Sequence, residues 1–127
     1  MQLINDFFTI LSSSCPDEQT ATFDLRLNPS HFIYAAHFPG NPITPGVCQL
    51  IIVEELASKL LGRTLQLAHI SNIKYMGIIS PIDDPELTCE FTRLAHNSDG
   101  CTLQATFLNF RATFSKMTLT LKDKTYT

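Results

Sequence analysis

Hydrophobic and polar residues alternate with different periods along this chain, and each period predicts an element. ATFDLRLN sets Phe23, Leu25 and Leu27 against Thr22, Asp24 and Arg26, the period-two pattern of a strand with one buried face. HISNIKYMGIIS, ELTCEFTRLAHN, CTLQATFLNFRATF and KMTLTLK are rich in β-branched and aromatic residues and read as further strands. Asn97-Ser98-Asp99-Gly100 is a hairpin turn between two of them, and PIDDPE, 81–86, is another turn. The opening LINDFFTIL could form a short helix leading into a first strand; pattern alone does not decide.

One segment breaks the strand rhythm. VCQLIIVEELASKLL predicts a helix from Val47 to Leu61. Pro45 and Gly46 open it, Gly62 stops it, and Lys59 sits in its last turn. VCQLIIV is too apolar for a one-sided surface helix, so the rest of the domain is expected to enclose it. One enclosed helix against five or six mostly antiparallel strands is an α+β layer architecture, and a sheet curled around that helix accounts for its apolar character.

Composition narrows the classes. A chain of 127 residues is one domain's worth, taken here as 1–127. A net charge of −3 and the lack of a basic stripe argue against nucleic acid, and Lys122 and Lys124 read as a solvated tail. No apolar run reaches the roughly 18 residues of a membrane span, and MQLINDFF lacks the basic start of a leader; a cytoplasmic protein is expected. Cys15, Cys48, Cys89 and Cys101 show no CxxC spacing, so no metal is expected. Cys89 and Cys101 could be bridged if their strands pair, but reduced thiols are preferred. His31, His69 and His96 have no partners at metal spacing and read as surface or edge-strand residues. No cofactor is implied.

The chemistry concentrates in HFPGNPITPGV, residues 37–47, with three prolines and two glycines in eleven residues. Each proline fixes φ and biases its predecessor towards extended backbone. The result is a stiff, irregular loop with His37 at its mouth. Gly46 and Val47 follow in the first helical turn, where backbone N–H groups lack intrahelical partners and the helix dipole favours negative charge. A held imidazole beside an oxyanion site suits proton abstraction next to a thioester or ketone carbonyl. The plainer reading is a tight turn with no chemistry. Thr44 reads best as a helix cap, and Cys48 as a small core residue.

HFPGNPITPGV resembles the signature of the 3-hydroxyacyl-acyl-carrier-protein dehydratases, roughly H-F-P-x-x-P-x-x-P-G-V. Seven positions, His37, Phe38, Pro39, Pro42, Pro45, Gly46 and Val47, match in register. HFIYAAHFPG resembles the family's strand entering the loop, and NIKYMGIISP more weakly its later R-F-x-x-P strand. The resemblance implies the hotdog fold, a curled antiparallel sheet wrapped around one long central helix. It implies His37 as the base that takes a proton from C2 of a 3-hydroxyacyl thioester. It implies the amide of Gly46 or Val47 as the oxyanion donor, and an acyl carrier protein as the partner that brings the substrate. In the family a carboxylic acid on the helix, fourteen residues after the histidine, helps the C3 hydroxyl leave, and the two catalytic groups meet across a homodimer interface.

Here that acid position is Ile51, which can only contact the substrate. Glu55, about 6 Å further along the helix and about 40° around it, is the better substitute acid; Glu54 is further off. Alternatively both point to solvent or to a dimer partner, or pair with Lys59. Three functions follow. One is a hydro-lyase of fatty-acid or polyene/polyketide-type synthesis, using His37 and Glu55. One is a catalytically impaired subunit, part of a heterodimer or larger oligomer, that binds acyl thioesters beside an active homologue. The least favoured is a thioesterase. Arg63, Lys74, Arg93 and Arg111 are candidate contacts for an acidic carrier, though too scattered to predict a patch. How deep an acyl tunnel runs depends on which of Phe32, Leu50, Val53, Phe107 and Phe110 point inward.

Overall fold

The computed structural model describes residues 2–37 and 39–125; Phe38, part of the motif, lies outside them. The elements are β1 Phe8–Asp17, β2 Thr20–Leu27, α1 Phe32–His37, α2 Gly46–Leu61, β3 Leu65–Tyr75, β4 Glu86–His96, β5 Gly100–Leu108 and β6 Thr113–Asp123. The six strands form one sheet in the order β1-β2-β4-β5-β6-β3, every neighbouring pair antiparallel.

Side chains alternate across a strand, so register decides what packs beneath the helix. One row across the inner face reads Phe23, Cys89, Phe107, Ser115, Tyr75. The row beside it reads Ala21, Phe91, Ala105, Met117, Ile73. Large and small residues alternate along the first row and along the second as far as Met117, which lets the layer fill closely. Phe23 and Phe91 meet edge to face with ring centroids 5.3 Å apart, a favoured aromatic geometry.

On α2, Cys48, Gln49, Ile52, Val53, Leu56 and Ala57 are buried, a stripe at the helical period that faces the sheet. The opposite face, with Leu50, Ile51, Glu54 and Glu55, is only half-buried. The antiparallel sheet and its packed helix are hotdog-like. α2 has 16 residues, one more than the predicted Val47–Leu61, and of its faces only the sheet-facing one is fully covered. Its ends follow the sequence signals. Pro45 is the N-cap and Gly62, at φ 65°, the left-handed C-cap.

Several local readings change. HFIYAAH is the helix α1, not a strand entering the loop. His31 is its N-cap and is buried, not on the surface. Its Nδ1 accepts the Ile33 amide at 3.1 Å, which leaves the proton on Nε2 to donate to Asp6 Oδ2 at 3.1 Å. Its ring stacks against Phe7 and Phe32. The LINDFFTIL segment forms a tight turn and then β1. CTLQATFLNFRATF is not one strand: Asn109 turns the chain, its side-chain oxygen accepting the Arg111 and Ala112 amides. The Asn97–Gly100 turn forms as read, with Asn97 Oδ1 accepting the amides of Asp99 and Gly100. β4 and β5 do pair, but Cys89 faces Phe107 and Cys101 faces His96, and all four thiols are free. Among the described residues no helix is long and apolar enough to cross a membrane.

Candidate active site

The loop before α2 is held from both sides. The Thr44 hydroxyl pairs with the Tyr34 hydroxyl of α1 at 2.9 Å, in a buried contact. The Thr44 amide donates to the Ile79 carbonyl at 2.9 Å. Thr44 is therefore a brace between α1, the loop and the 76–80 segment, not a helix cap; α2 has no side-chain cap. His37 ends α1 and is exposed. Among the described residues its imidazole has no hydrogen-bond partner, so both ring nitrogens are available to a substrate.

His37 lines a cavity of about 280 Å³ with Phe32, Ala36, Pro45, Val47 and Ile51 among its other walls. The walls are almost wholly apolar, which suits an acyl chain, and the imidazole is the main polar group. Cys48 also reaches this cavity, but burial pushes its thiol above the ordinary value, so it is an inert core group. The N-terminus of α2 forms one edge. Among the described residues, neither the Gly46 nor the Val47 amide has an acceptor. A side chain at Gly46 would have to displace Tyr75: a Cβ there would lie 2.5 Å from the Tyr75 hydroxyl and 2.7 Å from its Cζ. Tyr75 is thus pressed onto the first residue of the helix, a neighbour that the sequence reading did not single out. Residue type alone gives no signal for it; its place in the inner row beside Ser115 does.

His37, Val47 and Ile51 are brought together and Glu55 is not. Ile51 forms part of the wall between the His37 cavity and a second, larger cleft of about 690 Å³, lined by Ile4, Glu54, Glu55, Ser58 and Leu65 among others. In that cleft the Glu55 carboxylate accepts the amides of Leu3 at 2.7 Å and Ile4 at 2.6 Å. Glu54 accepts the Leu67 amide at 2.6 Å, and Ser58 Oγ the Leu65 amide at 3.0 Å. This face of α2 therefore fastens the N-terminal segment and the start of β3. Among the described residues no group of three potential ligands could hold a metal.

Of the basic residues considered for a carrier, two are engaged within the chain. Arg111 pairs with the buried Asp84, and Arg63 with Asp123 and the carbonyls of Asn97 and Ser98. Lys74 is exposed and lies across from Lys116; Arg93 is exposed too. Of the residues considered for an acyl tunnel, Val53 and Phe107 are buried in the core, Leu50 is half-buried, Phe32 lines the cavity, and Phe110 stands in solvent.

A family model described as ApeI-like, "ApeI dehydratase", matches residues 13–113. The chain belongs to the ApeI-like dehydratase family. Among its relatives is a protein of Lactiplantibacillus plantarum, named 3-hydroxyacyl-[acyl-carrier-protein] dehydratase FabZ, which is 31% identical over 83% of this chain and 79% of its own. Solved structures share the fold, two of them as follows. The dehydratase heterocomplex ApeI:P from Xenorhabdus doucetiae superposes with a TM-score of 0.69 at 22% identity, covering 89% of this chain and 96% of its own. An uncharacterized protein from Erwinia carotovora superposes with a TM-score of 0.67 at 24% identity, covering 90% and 94%.

Proposed function

We propose that the protein is a 3-hydroxyacyl-thioester hydro-lyase acting on acyl groups delivered by an acyl carrier protein, in fatty-acid or polyene-type synthesis. The observation that carries this reading is His37 in an apolar cavity beside the start of α2, where the Gly46 and Val47 amides have no acceptor among the described residues. His37 removes a proton from C2. The Gly46 and Val47 amides receive the charge that develops on the thioester oxygen, aided by the helix dipole. Ile51 contacts the acyl chain. The braced loop fixes these groups, and a misplacement of about 1 Å can cost roughly 100-fold in rate.

A second copy completes the assembly in this reading. Among the described residues β3 has one strand neighbour, β6. Ile70 and Tyr75 along it, and Met76 and Ile78 just beyond, are exposed. An open strand edge beside exposed apolar residues is a ready pairing surface, and the homodimer is proposed to form there.

Ile51 also favours a second reading, a subunit that works only beside an active homologue; one structural relative is itself a heterocomplex. Hydration of short and long enoyl thioesters by the purified protein, followed by loss of the conjugated chromophore, separates the two. Hydration by the protein alone supports the hydro-lyase. Turnover that appears only when an acid-bearing homologue is added supports the partner-dependent subunit.

A further inference from the structure

Ile51 stands where two hollows along α2 meet. Val47, Ile51, Glu55 and Ser58 follow one another at steps of three or four residues, so they form one stripe along the helix. The N-terminal part of that stripe, with Val47, lines the His37 cavity. The C-terminal part, with Glu55 and Ser58, lines the larger cleft. Among the described residues Ile51 alone lines both. The two hollows therefore follow one another along one helix face, over about 18 Å from Val47 to Lys59 at 1.5 Å per residue. One half-buried side chain divides them.

The two stretches differ in chemistry. On the His37 side the walls are apolar: Phe32, Ala36, Pro45 and Val47 beside Ile51. Beyond Ile51 stand the carboxylates of Glu54 and Glu55, which accept backbone amides at 2.6 to 2.7 Å, with Ser58 and Lys59 near them. A methyl end pushed among these groups would strip water from charged side chains and offer no hydrogen bond in return. The volume before Ile51, about 280 Å³, lies just under the roughly 300–1,000 Å³ of pockets that enclose drug-sized ligands. A chain that runs along α2 from a thioester at His37 thus meets a limit of space and a limit of polarity at the same side chain.

We propose that Ile51 sets the length of the acyl group this site accepts: it is the end wall of the cavity, and the terminal methyl of the chain packs against it. This rests on the acyl-cavity part of the reading above and deepens it. The substrate class is a short acyl thioester with an apolar far end. A carboxylate at position 51 would bring charge to the cavity, whereas a branched apolar side chain closes it. Each methylene that enters the cavity should tighten binding by about fourfold. That gain should stop at the length at which the chain reaches Ile51. Ile51→Ala removes three carbons and leaves room for about as many on the ligand before the Glu55 carboxylate is met. Ile51→Phe takes room away.

Saturated acyl-pantetheines from butyryl to dodecanoyl, which have no hydroxyl to lose, test this by titration calorimetry. The purified wild type, Ile51→Ala and Ile51→Phe are compared, and circular dichroism checks that each is folded. Ile51→Val, which removes one carbon, takes the place of Ile51→Ala should that variant not fold. The expected result is an affinity that rises with length in the wild type and levels off or falls within the series. The break should come about two or three methylenes later in Ile51→Ala, about one later in Ile51→Val, and earlier in Ile51→Phe. Lost packing alone would weaken all lengths together and leave the break where it was. A break at the same length in wild type and variants overturns the inference, as does a wild-type affinity that climbs steadily to dodecanoyl. A wild-type protein that binds none of the series overturns the acyl-cavity reading itself, and this inference with it.

Discussion

Glu55 holds Leu3: the carboxylate on α2 accepts the Leu3 amide at 2.7 Å and, with its other oxygen, the Ile4 amide at 2.6 Å. Leu3 is fully buried in the core, so this contact fixes where the N-terminal segment packs. Glu55→Ala leaves two amides without acceptors and should cost about 1–3 kcal/mol, read as a lower denaturation midpoint. The rate per folded molecule should stay unchanged. An intact midpoint with lost turnover would return Glu55 to the role of acid.

Gly46 and Tyr75 make a second test. Alanine in a helix is ordinarily favoured over glycine by about 1 kcal/mol. At position 46 the added methyl would meet the Tyr75 phenol at 2.5 Å, so Gly46→Ala should lower both Tm and turnover. In combination with Tyr75→Ala the stability loss should be less than additive, because the clash is gone. Additive losses in that cycle would show that the two residues do not press on each other.

These two contacts also mark how far the sequence could be read. α2 was legible because Pro45, Gly46 and Gly62 punctuate a helical apolar run, and its observed bounds are Gly46–Leu61. β2 and the Asn97–Gly100 turn were legible for the same reason: local pattern and local structure agree. α1 was not, since Phe32, Ile33 and Tyr34 favour strands by type, and the six-residue helix depends on the buried His31 cap and on Tyr34 bonding Thr44. At the candidate site, the motif placed His37 and the start of α2 close together in the chain, and the structure puts His37 and Val47 on one cavity. Glu55 could not be placed, because helical spacing gives its angle around the axis but not the segment that packs there. Tyr75 was hidden because its neighbour Gly46 is 29 positions earlier in the chain, a long-range contact set by sheet register.

The thiols give a prediction free of assumptions about catalysis. Cys15 is exposed, and Cys48, Cys89 and Cys101 are buried. Desolvation raises the pKa of each buried thiol above its ordinary value. A thiol reagent should therefore modify one cysteine quickly in the native protein and the other three only on unfolding. Because the folded-state values are raised, the unfolded chain releases thiol protons first as pH rises. Stability from these groups is present at neutral pH and should decline above about pH 8.5. Fast modification of all four in the native state would contradict this burial.

The β3 edge predicts an oligomeric state. Ile70 lies on β3 with 40% of its surface exposed, and a lysine on an edge strand opposes pairing with another chain. Ile70→Lys should convert a dimer to a monomer by light scattering while leaving the circular dichroism intact. A variant that stays dimeric would move the interface elsewhere.

The most direct test of the account is the mass of the carrier-bound product. Purified protein is incubated alone with a 3-hydroxyacyl-carrier thioester, with His37→Ala in parallel, and intact carrier masses are compared. The account predicts loss of one water with the wild type, and loss of that reaction by about 100-fold or more in the folded variant. Equal water loss by both proteins would remove His37 from the mechanism, and none by the wild type across short and long chains would contradict a hydro-lyase that works alone.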